Sequence, residues 1–269
     1  MCYYNGQKVS KTEFLKLLQL EKALKDFDFL NKELSTGFDY SLNAVVRPKE
    51  GEIDFDIVQM EWGFVPAYIR NREQLGKMRL GYKDSAGKFH PPLTTLNSTA
   101  EEMLKPGKIY REAALKRRCL VLSSGFFEWR HVNPLSKKTG LPLKATINYP
   151  YHITIKEHEY FYMAGIWQPF IDTQTGETVD TFAIVTTKAN PLMEQIHNSK
   201  KRMPTILPDE LAYEWIFGEL SEERIQQIGS YQYDYREMDA CTISKEFRAS
   251  LDPTAPFAYE DLPAFELSL

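Results

Sequence analysis

Cysteine is scarce in this chain. Its 269 residues hold three, Cys2, Cys119 and Cys241. An odd count without paired spacing excludes a disulfide framework and fits a reducing compartment. Neither a C-x-x-C nor an H-E-x-x-H pattern occurs, so no metal site is expected. Glycine-rich phosphate loops are missing too, which argues against a nucleotide-binding, doubly wound sheet. No apolar run reaches the roughly 18 residues of a membrane span. The first thirty residues lack the basic, apolar, small-residue order of an export signal, so the expected location is cytoplasmic. Positive charge is not in excess: 33 Lys+Arg face 37 Asp+Glu, a net charge of −4. That balance excludes a non-specific nucleic-acid coat protein, though not a basic groove on an acidic body.

What is present points to a soluble globule. Hydrophobic residues make up 43% of the chain and aromatic residues 13%, enough for a sizeable core and for surfaces that stack on rings. The runs "LNAVV", "DIVQM", "CLVLS", "FFEWR", "YHITI", "FYMAGIW" and "TFAIVTT" are β-branched and aromatic and read as strands. Ser10 and Glu13 have capping-box spacing ahead of an amphipathic helix over 10–34. Further helices are predicted from about Ser98, with Ser98 and Glu101 as a capping box, and from Pro191, Pro208 and Ser221. Proline at a first helical position loses no needed N–H. Strands outnumber helices and do not alternate with them one for one. The expected fold is therefore α+β: one mixed domain over 1–269, an antiparallel, barrel-like sheet core flanked by helices. A tail from about residue 250 would wrap or fray.

Few polar groups stand out. The chain opens "MCYYNGQKVS". Removal of Met1 would leave Cys2 with an α-amine titrating near about 8 and a thiol near about 8.5 on neighbouring carbons. That pair suits an aldehyde: the amine condenses to a Schiff base and the sulfur closes a five-membered ring, helped by intramolecular proximity. The alternative is an incidental terminal cysteine. Glu128 lies inside the apolar strand "SSGFFEWR". Either burial raises its pKa for acid–base work or it sits on a wet face. His197, in "QIHNSKKRMP", has cationic neighbours that favour its neutral form, as in a base or proton relay; it also reads as a plain helix end. Asn97 opens "NSTAEE", as a site residue or as part of a cap. Trp62, in "EWGFVP", reads first as core, and Cys119 as buried and inert. The basic runs at 105–118 and 200–202 are either solvated faces or phosphate contacts.

Taken together, "WGFVP" at 62–66, "NSTAEE" at 97–102, "RCLVLSSGFFEW" at 118–129, "AGIW" at 164–167, "TFAIVTTKAN" at 181–190 and "RMPTIL" after His197, behind a cysteine at position 2, resemble the SOS response-associated peptidase family, the abasic-site processing proteins. The resemblance implies a protein, acting without a cofactor and as a monomer, that bonds covalently to abasic sites in single-stranded DNA. It also implies autoproteolytic release of the start methionine, crosslink reversal, and strand cleavage through the Schiff base. The family's active-site positions match Cys2, Asn97, Glu128 and His197. Trp62 and Trp129 are then expected to wedge or stack beside the unpaired site. Thr99, Arg118, Lys200, Lys201 and Arg202 are expected to meet the DNA strand. This chain departs from the family pattern in having Tyr3 and Tyr4 for the usual Gly-Arg, Thr99 for an arginine, and a longer gap between His197 and Arg202. The rival expectations are an N-terminal-nucleophile amidohydrolase or peptidase indifferent to DNA, and a nucleic-acid binder without catalysis.

Overall fold

The structure, a computed structural model, describes residues 2–8, 31–52, 54–136 and 138–265. Among these residues the first strands in chain order are β1 (Tyr4–Lys8), β2 (Asn31–Thr36), β3 (Leu42–Pro48), β4 (Phe55–Trp62), β5 (Tyr82–Lys83), β6 (Phe89–His90) and β7 (Asn97–Thr99). Then come β8 (Arg118–Ser123), β9 (Gly125–Val132), β10 (Ile147–Ile155), β11 (Phe161–Ile171), β12 (Thr178–Lys188), β13 (Arg202–Pro204), β14 (Ile206–Leu207) and β15 (Met238–Thr242). The helices are α1 (Arg72–Leu80), α2 (Ala100–Met103), α3 (Arg111–Lys116), α4 (Pro191–Ile196), α5 (Asp209–Phe217) and α6 (Glu222–Gly229). None is long and apolar enough to cross a membrane.

Two large sheets, with a separate two-stranded β5–β6 pair, make the α+β architecture among the described residues. In one, β3 pairs with β4 and with β8, β8 with β11, and β11 with β12, all antiparallel. The parallel pairing of β12 with β4 closes these five strands into a ring, which leaves no long open edge. Where β4 leaves β12, β7 takes over the same role, Asn97 against Ile184. The second sheet has the order β15-β10-β9-β1-β2.

Strand residues alternate between faces, and here both faces are buried. Val45, Cys119, Val121, Met163, Phe182 and Ile184 join Phe126 and Ile153 of the second sheet in one core. The intervening Ala44, Val46, Leu120, Leu122, Ala183 and Val185 pack beneath the helices, against Ala113, Trp215 and Ile225 among others.

The seven predicted strand runs and the helix starts at Pro191, Pro208 and Ser221 are all present, and Asn190 caps α4 through its side chain. Two expectations change. Most of the predicted helix over 10–34 lies outside the described residues, but its last four positions, 31–34, belong to the strand Asn31–Thr36, because β1 offers it a partner edge. The capping box at Ser98 does not form: Ser98 is fully buried inside β7, and α2 begins beyond Thr99. Pairing with β12 satisfies the backbone there and overrides the local cap. The tail wraps, as described below.

Candidate active site

Cys2 is delivered by β1, which runs between β2 and β9. The register sets Asn5 against Phe126 and Gly6 against Gly125, so the chain start advances along β9 toward Glu128. Cys2 is completely buried. Three hydrogen bonds fix it: Asn97 Nδ2 donates to the Cys2 carbonyl at 2.9 Å, Gly37 N donates to the Tyr3 carbonyl at 2.9 Å, and the Cys2 thiol donates to the Tyr4 carbonyl at 3.4 Å. Gly37 matters sterically, since a Cβ there would stand 2.8 Å from Leu96 Cδ1, next to Asn97. Asn97 is held in turn at its own carbonyl by the Tyr110 hydroxyl, at 3.1 Å. Its side-chain Oδ1 is buried and accepts no hydrogen bond among the described residues.

Glu128 faces inward from β9, 3% exposed, across from Tyr151 of β10. Burial pushes its carboxyl up to about 7. His197 ends α4, and its Nδ1 lies 2.8 Å from the Arg202 carbonyl. A carbonyl only accepts, so Nδ1 carries the proton and Nε2 is the unprotonated nitrogen. That Nε2 lies 4.0 Å from Glu128 Oε2. Burial lowers the His197 pKa to about 4, keeping the imidazole neutral near pH 7. The Cys2 thiol is pushed well above its ordinary value, first by burial and then by the Glu128 charge. The site is therefore a neutral thiol, a neutral imidazole with its unprotonated nitrogen on the Glu128 side, and a carboxyl poised near half-protonation.

One positioning residue carries no local sequence signal. Asn198 accepts from the His131 N–H at 3.0 Å through Oδ1 and donates to the His131 carbonyl at 2.8 Å through Nδ2. This two-pronged clasp ties the segment after His197 to β9, the strand that bears Glu128. The partner is 67 residues away in the chain.

The residues expected at DNA divide. Lys200 and Lys201 are exposed beside the site, with Lys201 Nζ 3.8 Å from Glu194. Thr99, partly buried, pairs with Thr186 at the end of β7. Arg202 is bidentate to Glu101 at 2.9 and 2.8 Å, and it donates to the Thr186 carbonyl. Two expectations need correction. Trp62 is 1% exposed, stacked on Phe182 and bonded to the Leu96 carbonyl, so it offers no ring face to a base. Arg118 donates to the carbonyls of Ala114, Leu115, Trp215 and Gly218, which makes it a cap for the ends of α3 and α5 rather than a phosphate contact. Trp129 is a separate case: it is partly buried on the face of β9 opposite Glu128, against Tyr4 and Phe247.

Comparison with known proteins agrees with the architecture. The family model described as SOS response associated peptidase (SRAP) matches residues 1–249. The chain is 29% identical over 187 residues to the Bacillus subtilis abasic site processing protein YoqW, covering 69% of this chain and 68% of that one. It is 29% identical over 165 residues to the Saccharomyces cerevisiae abasic site processing protein YMR114C, covering 61% of this chain and 34% of that one. A crystal structure of a Bacteroides thetaiotaomicron protein superposes with a TM-score of 0.73 at 26% identity, over 95% of this chain and 97% of the other.

Proposed function

The chain belongs to the SOS response associated peptidase family, and on that premise we propose that it processes abasic sites in DNA by bonding to them through Cys2. The observation that carries this reading is the convergence of Asn97, Glu128 and His197, from distant parts of the chain, on one buried cysteine at its start.

In the reactive form Met1 has been released and Cys2 bears the α-amine. An abasic deoxyribose is a closed hemiacetal in equilibrium with an aldehyde. His197 Nε2 takes the proton of the C1 hydroxyl while the C1–ring-oxygen bond breaks, and returns it to the ring oxygen. The Cys2 amine adds to the aldehyde carbon. Protonated Glu128 gives its proton to the resulting hydroxyl, water leaves, and an iminium remains. Glu128, now a carboxylate, takes the thiol proton, and Sγ bonds to the iminium carbon to close a thiazolidine. One water is lost overall, and Glu128 ends as it began. Its pKa near neutrality suits both roles, and the high thiol pKa makes that base necessary. Asn97 orients the chain start through the Cys2 carbonyl and keeps Oδ1 for the amine or a sugar hydroxyl. The iminium also permits β-elimination, a lyase side reaction. Single-stranded DNA is the proposed substrate because an exposed sugar must reach a buried thiol.

The test is a denaturing gel with single-stranded DNA bearing one abasic site. A heat-resistant shifted band is expected, absent for Cys2→Ala. Cys2→Ser keeps the amine and should give a band only after borohydride reduction. A peptidase indifferent to DNA, or a plain binder, gives no band after denaturation. Normal crosslinking by Cys2→Ala would refute the mechanism.

A further inference from the structure

The tail beyond the family match is a strap on the same face of the second sheet as Glu128. Ile243 bridges Pro256, Phe257 N donates to the Thr242 carbonyl at 2.8 Å, and the Tyr259 hydroxyl donates to the Ile243 carbonyl at 2.8 Å. Farther on, Arg130 donates to the carbonyls of Pro263 and Ala264 at 2.6 and 3.3 Å, and the Tyr149 hydroxyl to Asp261 at 2.7 Å. Between strap and sheet is a wide-open surface cavity of about 540 Å³. Its walls include Arg130, Tyr151, Phe257, Tyr259 and Phe265. Arg130 is also its one charged group among the described residues, with the guanidinium 5.1 Å over the Phe265 ring. Tyr151 is the direct cross-strand partner of Glu128, so the two side chains share a face and stand about 5 Å apart at Cβ.

We propose that this cavity receives the nucleobase next to the abasic site, stacked among the strap's aromatic rings. This deepens the capture reading and rests on it. Three features select such an occupant. Aromatic walls with one guanidinium are the surroundings in which unpaired bases stack and are held. The absence of acidic side chains from the described lining suits a ligand attached to a phosphate backbone. The adjacency of Tyr151 to Glu128 puts the cavity one to two nucleotides from the reacting sugar, at about 3.4 Å per stacked nucleotide. The strap would thus grip the strand beside the lesion.

Phe257 is the residue to change, because it is 48% exposed and its truncation spares the core. On an ordinary single-stranded oligonucleotide with one abasic site, Phe257→Ala should raise the protein concentration for half-maximal crosslinking about tenfold. Phe257→Trp should stay near wild type. On an oligonucleotide whose lesion is flanked by two baseless spacers, wild type should fall to the level of Phe257→Ala, and the substitution should add nothing. Equal losses on both substrates, or no loss on either, would overturn the cavity while leaving capture intact. No crosslink by wild type to any abasic DNA would overturn both.

Discussion

β9 presents two faces to two different surroundings, and adjacent residues meet opposite fates on them. Glu128 faces inward, a carboxyl held out of water near a thiol and an imidazole. Trp129 faces outward into an aromatic cluster in which Phe247 stacks on Phe127 at 5.3 Å and Tyr4 meets Trp129 edge-on at 5.2 Å. The outer face gains stability from ring burial. The inner face loses some, because burying an ionisable carboxyl and an imidazole opposes their charged forms. One strand carries both faces, so the outer face supplies stability that the inner face gives up.

That division can be broken most strongly from outside. Phe247 is 2% exposed and touches Tyr4, Phe127 and Trp129. Phe247→Ala should cost about 3–4 kcal/mol in denaturant unfolding, while the protein that remains folded crosslinks at the wild-type rate. An equal fall in the crosslinking rate of the folded fraction would show that the faces are not separable.

Glu128→Gln is the inner counterpart, with the reverse signature. Crosslinking should slow about 100-fold, and stability should rise at alkaline pH. Burial raises the Glu128 pKa from 4.5 to about 7, so the folded chain holds this proton more tightly than the unfolded one. The group's stabilising contribution is whole below about pH 4.5, declines as pH rises, and levels off above about 7. His197, lowered from 6.5 to about 4, works the other way, losing stability as pH falls through that window. Glutamine mimics the neutral acid. The variant should therefore match wild type near pH 4.5 and exceed it at pH 8 by about 3 kcal/mol. Identical pH–stability curves for the two proteins would remove Glu128 from the buried, raised-pKa class.

The same contrast explains how much was legible in the sequence. Strand runs such as "CLVLS" and "TFAIVTT" declare themselves because β-branched residues on both faces leave few alternatives, and Pro191 and Pro208 punctuate helices by local chemistry alone. Cys2, Asn97, Glu128 and His197 were unusual for their type or place, and the fold assembles all four. Local rules failed where distant partners decide. Ser98 has the spacing of a cap, but β12 recruits it as strand. Arg118 and Arg202 look like free cations, yet carbonyls near residues 114–115 and 215–218 occupy the first, and Glu101 the second. Trp62 looks like a wedge, but its direction depends on the register of strands far away in the chain.

The smallest effect tests the charge balance at the inner face. Arg202 and Lys200 are two residues apart, but Arg202 is already neutralised by Glu101, whereas Lys200 is exposed and its charge acts on both Glu128 and His197. If Lys200 meets a phosphate, Lys200→Ala should flatten the dependence of log affinity on log salt for single-stranded DNA by about 0.7, one counterion's share. Between 50 and 200 mM salt that amounts to roughly a threefold smaller loss of affinity. Arg202→Gln should instead loosen the Glu101 and Thr186 contacts and lower stability with little change in slope. Fluorescence anisotropy over a salt series separates the two. A full-unit change in slope for Arg202→Gln, with none for Lys200→Ala, would move the phosphate contact to the arginine and require the Glu101 pair to open when DNA binds.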